Sequence, residues 1–259
     1  MMNDLHDILA SFKPISLSEM DTVELQDRTD TKFIFNRNRL TKLLELASHK
    51  YQILEIKGGR TFSYHTTYLD TKKFDFYKHH IHSRPNRYKV RYRVYEATGD
   101  SFLETKLKTN KKRTIKHRIK NHLLDDGLDT SAIAFLKMHI KDVAHEVEPV
   151  LINRFSRITL VGIETNERIT IDYNLSFHLD KLNSINLPYL AIAELKREGL
   201  TNKSPFLTML KMMEIRQSSF SKYCIGSAML RKDSKSNTLK PLFLRLNKIE
   251  NDKLVAFAN

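Results

Sequence analysis

The sequence predicts an α+β, mainly β protein: an antiparallel β-barrel enclosing a polar tunnel, with helices packed outside. Three observations carry this. Candidate strands fill most of the chain and are joined by short turns. Their side chains split by parity into an apolar and a charged face. The charged faces are dominated by lysine and arginine. A length of 259 residues with 41% hydrophobic side chains supports one sizeable core.

In chain order, a lead-in of residues 1–27 precedes the first alternating run, 28–35. "RTDTKFIF" sets Arg28, Asp30 and Lys32 against Thr29, Thr31, Phe33 and Phe35. The recurrence of Leu40, Leu43, Leu44 and Ala47 predicts a helix over 36–48. Strands follow at 51–57 and 62–70, separated by the turn chemistry of Gly58-Gly59. "RYKVRYRVYE", over 87–96, sets Arg87, Lys89, Arg91 and Arg93 against Tyr88, Val90, Tyr92 and Val94. The strand at 101–108 contains "FLETKLK", with Glu104, Lys106 and Lys108 opposite Leu103, Thr105 and Leu107. The strand at 113–122 sets Thr114, Lys116 and Arg118 against Ile115, His117 and Ile119.

A helix is expected after Thr130, with Ile133, Leu136, Ile140, Val143 and Ala144 on one side. Strands at 149–161, 167–178 and 189–197 complete the series, with Arg168, Thr170 and Asp172 sharing one face and Glu194 and Lys196 another. Ser204 as N-cap and Pro205 at the first helical position start a further helix bearing Leu207, Leu210 and Met213. Residues 28–232 read as the tunnel domain, and 233–259 as a tail or short helix containing "KPLFLRLNKIEND".

Solvated faces usually explain alternating charge. A solvent face normally mixes signs, however, because like charges opposite each other across strands repel. Here cations dominate and the reverse faces are apolar or aromatic, so the charged faces are expected to turn toward one another around a lumen that anions or water must occupy. Arginine forks and lysine point charges suit a ligand with several phosphates. Glu104 and Glu194 do not belong in an anion site unless a cation bridges them to it. They are candidate ligands for Mn²⁺ or Mg²⁺, the alternative being charge pairing with neighbouring lysines. Arg87 and Lys89 are expected nearer the entrance.

A formal charge of +14 directs attention to polyanionic partners. Nucleic acid is not expected: the run "KTNKKRTIKHR" has no stacking aromatics or helix-turn-helix beside it, and Lys111, Lys112 and Arg113 suit a hairpin turn or a steering mouth. His80 and His82 in "KHHIHSR" are read as part of a loop rather than a metal site. Neither a signal peptide nor a membrane span is visible, so a cytoplasmic protein is expected. Cys224, the one cysteine, is read as a small packed hydrophobe. No Walker A loop or Ser-His-Asp signal is present.

Taken together, these segments resemble the VTC domain, the polyphosphate polymerase domain of the vacuolar transporter chaperone complex, within the triphosphate tunnel metalloenzyme (CYTH) superfamily. "RTDTKF" is similar to the first-strand R-x-D-x-K-[YF] signature, and "TTYLDTKKFDFYKHH" to T-x-Y-F-D-T with its downstream aromatic and histidine. "RYKVRYRVYE" resembles R-x-K-V-R-x-R, and "FLETKLK" resembles L-E-x-K-x-K. "INRFSR", "ERITID", "AELK" and "FSKYCIG" resemble the later strands and the closing F-S-K-[YF].

The resemblance implies a tunnel that binds ATP, inorganic triphosphate or polyphosphate with a divalent metal, most simply for polyphosphate synthesis from ATP, with triphosphatase or polyphosphatase activity or a binding-only sensor as alternatives. It places Lys32, Arg91, Arg93, Lys106, Arg157, Arg168, Lys196 and Lys222 on the phosphate chain, with Ser221 near it and Glu194 on the metal. Lys108 joins the phosphate-binding set from the same strand face as Lys106. Arg154, of opposite parity, competes with Arg157. Many tunnel triphosphatases open with E-x-E-x-K where this chain has Arg28, Asp30 and Lys32, which favours the VTC branch and leaves one acid fewer to hold metal. No segment resembles the family's SPX regulatory domain or membrane helices, so membrane-coupled export is not expected.

Overall fold

The computed structural model describes residues 5–22, 28–111, 113–123, 127–140, 144–198, 204–231 and 237–252. Its strands are β1 (Lys13–Ile15), β2 (Arg28–Asn36), β3 (Tyr51–Leu54), β4 (Phe62–Thr71), β5 (Arg87–Tyr95), β6 (Asp100–Lys108), β7 (Thr114–Lys120), β8 (Val147–Gly162), β9 (Glu167–His178), β10 (Ser184–Leu187) and β11 (Leu190–Glu198). The helices are α1 (Leu5–Ala10), α2 (Leu17–Thr22), α3 (Leu40–Ala47), α4 (Asp75–Ile81), α5 (Thr130–Ile140), α6 (Pro205–Met212), α7 (Lys222–Leu230) and α8 (Lys240–Glu250).

One sheet carries the architecture. Its main path runs β2-β11-β9-β8-β4-β5-β6-β7, with β10 on β9 and a β1-β3 extension on β8. Every pairing is antiparallel except β1 with β3. The sheet curls on its charged face, so that Glu194, Asp30 and Lys32 of β11 and β2 act electrostatically on Lys106 of β6. The expected closed barrel is not formed: among the described residues the path ends at β2 and β7, which do not pair. The free edge of β2 is met by the chain before α7, through a Phe33–Gln217 bridge and a bond from Ser218 N to Lys32 O at 2.8 Å.

The predicted faces explain where the core lies. Phe33 and Phe35 turn outward with Ile169, Ile171, Ala193 and Leu195, and are covered by Leu40, Leu43 and Leu44 of α3 and Phe206 and Leu210 of α6. Val90, Tyr92 and Leu103 lie beneath Ala132, Phe135 and Leu136 of α5. The Ser204 cap forms as expected, its Oγ accepting from Leu207 N at 3.2 Å. Helix α8 occupies the expected C-terminal position and is tied down by Asn36 Nδ2, which donates to Ile249 O at 2.7 Å. Val143 and Lys112 lie outside the described residues.

Beyond α1 and α2, which form in the lead-in where no element was expected, two helices differ from the sequence expectation. The segment read as a loop around His80 is α4, and its start is capped from a distance. Asp70 at the end of β4 accepts from Phe76 N at 2.9 Å and Tyr77 N at 2.8 Å, while Tyr223 of α7 donates its hydroxyl to the same carboxylate. Helix α7 is buried on all sides from Tyr223 to Ala228, so it has no amphipathic stripe to read. It packs with Ile34, Leu151, Phe155 and Ile192, filling one end of the curl and delivering Lys222 to the interior. No described helix is long and apolar enough to cross a membrane.

Candidate functional site

The interior face gathers its charges in repeated triplets, each a carboxylate between two cations. Asp172 on β9, 4% exposed, accepts from Arg157 Nε at 2.6 Å and Nη2 at 2.9 Å, and from the Lys222 ammonium. Glu104 on β6, 2% exposed, accepts from Arg91 Nε at 2.7 Å and Nη2 at 2.6 Å, while its other oxygen pairs with Lys116. Glu194 on β11 pairs with Lys32 and, at 3.4 Å, with Lys196. Cross-strand register produces three of these contacts directly, since Arg91 lies opposite Glu104, Lys32 opposite Glu194 and Arg157 opposite Asp172.

These partners set the protonation states. Burial alone would raise all three carboxyl pKa values, but the adjacent cations outweigh it. Arg91, Arg93 and Lys116 hold Glu104 at about 2, and Arg157 with Lys222 holds Asp172 far below the usual range. Lys196 and Lys32 do the same for Glu194. The cations bear the opposite cost. Burial, reinforced by Arg157 and opposed by Asp172, brings the Lys222 ammonium down to about 8. Burial likewise brings Lys89 down to about 7, with Lys106, Lys32 and Arg91 adding repulsion.

Arg93 differs from its neighbours. It is 8% exposed, donates Nε to Thr66 Oγ1 at 3.3 Å, and sits 5.8 Å from the Tyr64 ring centroid. Among the described residues no carboxylate forms an ion pair with it. Burial and repulsion from Arg91 and Arg157 lower its pKa.

The remaining expected residues fall around this centre. Arg168 and Lys196 line a cavity at one end of the interior, where Arg168 Nη2 donates to Met20 O at 2.7 Å. Ser221 caps α7 and meets Lys89 Nζ at 3.3 Å. Lys106 and Lys108 follow on the same strand face and are exposed. Arg154 is exposed, while Arg157 is drawn inward by Asp172. Cys224 is buried at 1% exposure, as expected of a packed hydrophobe.

Three contributors escaped the sequence reading. Lys89, expected nearer the entrance, lines an opening of the interior and there reaches Ser221 on the opposing helix, a contact without a sequence signal. Asp172 was on the correct face but had no role, although its parity match with Arg168 was a usable signal. Lys116 was on the cationic face and went unassigned. Glu104, a candidate metal ligand in the sequence, is paired through one oxygen with Arg91 and through the other with Lys116, the charge pairing read as its alternative. His80 lines the opposite opening beside Lys89, and burial with the nearby cations pushes its imidazole down to about 3, so it is neutral.

No three His, Cys, Asp or Glu side chains converge as a ready metal cage among the described residues. A single carboxylate is still enough for a hard divalent ion whose other ligands are phosphate oxygens and water. Glu194 fits that role best, being the most accessible carboxylate of the triplets, at 20% exposed.

The family model of the VTC domain matches residues 27–231. Among solved structures, a candidate adenylyl cyclase from Hippeastrum with a dominant triphosphatase activity is 14% identical at a TM-score of 0.46, covering 82% of this chain and 100% of that one. A candidate adenylate cyclase from Vibrio parahaemolyticus is 13% identical at a TM-score of 0.45, covering 79% and 100%. The PH1819 protein from Pyrococcus horikoshii OT3 is 14% identical at a TM-score of 0.43, covering 75% and 92%. No curated protein matches the chain.

Proposed function

Because the chain belongs to the VTC domain family, a triphosphate-related family, we propose that it transfers phosphoryl groups in a metal-dependent reaction on triphosphate or polyphosphate, with ATP as donor and a growing polyphosphate chain as acceptor. The observation that carries this reading is the charge ratio of the interior. Each of Glu104, Asp172 and Glu194 is flanked by two cations, and Arg93 is buried with no ion-pair partner among the described residues. Such a surplus is costly in an empty protein and is relieved when a polyanion enters.

In this reading the interior acts as a tunnel for phosphate. Arg91, Arg93, Arg157, Lys32 and Lys222 hold the donor triphosphate in line with the acceptor's terminal phosphate. An acceptor oxygen forms a bond to the γ-phosphorus as the bond to the ADP oxygen breaks. The fixed cations stabilise charge on the equatorial and leaving oxygens, and ADP departs with the electron pair. Arg168, Lys196, Lys106, Lys108 and Ser221 extend the phosphate path, and Lys89 joins them. A divalent ion, Mn²⁺ or Mg²⁺, held by Glu194 and phosphate oxygens would add charge neutralisation at the transferring group. Glu104 is assigned a different role: it holds Arg91 and Lys116 at the phosphate wall.

The test is incubation of the protein with ATP and Mn²⁺ or Mg²⁺, with separate assays for polyphosphate, ADP and free phosphate. Chain growth with matching ADP supports the polymerase. Phosphate release from tripolyphosphate without chain growth selects the same site acting as a hydrolase with water as acceptor. Metal-independent binding without turnover selects a sensor.

A further inference from the structure

The interior face holds aromatic rings among its charges. Tyr95, Tyr64 and Phe155 lie opposite one another on β5, β4 and β8, which sets three aromatic side chains in a row across neighbouring strands. Tyr64 and Phe155 stack at 5.2 Å with an interplanar angle of 8°, and Tyr95 braces Tyr64 edge-on at 5.2 Å. Phe155 is 2% exposed, so the stack is a fixed part of the wall.

Three cations from three different elements converge on this pair of rings. Arg157 of β8 lies 4.8 Å from the Tyr64 centroid and 5.2 Å from that of Phe155. Arg93 of β5 lies 5.8 Å and 6.0 Å from the same two centroids. The Lys222 ammonium, at the start of α7, lies 4.2 Å from Phe155. A ring face attracts a cation through its quadrupole, and more strongly where water is excluded. It differs from a carboxylate in two respects that matter beside phosphate. It has no net charge to repel an anion, and it accepts none of the in-plane N–H donors of a guanidinium lying over it. Arg93 shows the consequence, since no carboxylate forms an ion pair with it among the described residues and its Nε donates to the Thr66 hydroxyl.

We propose that Tyr64 and Phe155 are positioning residues of the phosphate site, whose stacked rings hold Arg93, Arg157 and Lys222 in place without neutralising them. The inference rests on the phosphoryl-transfer reading above and adds how its central cations are kept in register at full charge. Asp172 neutralises Arg157 and Lys222 in part, whereas the rings support all three cations and leave the surplus for the ligand.

The test is calorimetric titration of wild type, Tyr64→Leu and Tyr64→Phe with inorganic tripolyphosphate. Tyr64→Leu keeps an apolar side chain but removes the ring, and is expected to weaken binding about tenfold. Tyr64→Phe keeps the ring and loses the hydroxyl, and is expected to bind within about twofold of wild type. Equal losses in the two variants would assign the effect to the hydroxyl, and no loss in either would leave the rings without a role; both results overturn the proposal while phosphate binding stands. Wild type that fails to bind tripolyphosphate would overturn the parent reading and this one with it. A series that preserves shape separates positioning from packing and guards against a Tyr64→Leu protein that fails to fold. Replacement of Phe155 by mono-, di- and trifluorinated phenylalanine withdraws charge from the ring face in steps, so tripolyphosphate affinity should fall with each added fluorine. Affinity that stays constant across the series would overturn the proposal whatever Tyr64→Leu does.

Discussion

Replacing Asp172 with Asn should lower the stability of the ligand-free protein and increase the stabilisation that tripolyphosphate provides. Asp172 is 4% exposed, and the cations it neutralises, Arg157 and Lys222, are 14% and 13% exposed, so solvent screening recovers little. Breaking a buried pair by removing one partner costs about 3–5 kcal/mol. In a chain of this size about 3 kcal/mol corresponds to a fall in Tm of roughly 6–12 °C. A bound polyanion takes over the neutralising role of the lost carboxylate, so saturating tripolyphosphate should raise Tm by more in Asp172→Asn than in wild type. Differential scanning calorimetry with and without tripolyphosphate measures both quantities. A Tm within about 2 °C of wild type without ligand, or an equal ligand-induced rise in both proteins, would refute the charge-triplet argument.

Four further outcomes follow from the same geometry. Lys89 and Lys222 are depressed to about 7 and 8, below the ordinary lysine value, so both lose charge as pH rises through that window; tripolyphosphate affinity should fall between pH 7 and 9, with proton uptake on binding visible in buffers of different ionisation enthalpy. The same depression means that these two lysines disfavour the folded state at low pH, an effect relieved as pH rises from about 7 toward the unfolded lysine value, which a urea titration series can follow. Asp70→Ala should cost about 2–4 kcal/mol in chemical denaturation, because Phe76 N, Tyr77 N and the Tyr223 hydroxyl lose their shared acceptor. Gly226→Ala should cost about 1–3 kcal/mol, since an added Cβ would overlap the Phe177 ring and lie 2.8 Å from Leu151 Cδ2.

Strand alternation was the most legible feature, because period-two patterning reports on a face directly. Arg91, Glu104, Arg168, Glu194 and Lys196 were placed on the charged face by parity, and the structure turns that face inward. Closure was not legible. Parity reports which side a residue occupies, whereas joining β7 to β2 depends on edge pairing, and the β2 edge is met by Gln217 and Ser218 instead. Helix α4 was missed because its cap, Asp70, lies on the preceding strand, outside any local capping pattern. Helix α7 was missed because it is buried on all sides. The contact of Lys89 with Ser221 was not legible, because position along a strand does not reveal which residue of a distant helix faces it. The pairing of Asp172 with Arg157 depends on the β8-β9 register, which places these residues opposite each other.

Arg93 tests the central claim most directly, since stability and function should move in opposite directions there. It is a buried cation without an ion-pair partner among the described residues, so Arg93→Met should leave the stability of the ligand-free protein unchanged or raise it. If Arg93 is held in place for phosphate, the same substitution should weaken tripolyphosphate binding by about 10- to 100-fold, the loss expected for charge-assisted hydrogen bonds. Paired calorimetry and thermal unfolding of Arg93→Met and wild type decide the matter. Weakened binding with undiminished Tm is the predicted result; undiminished binding with a lowered Tm would contradict it.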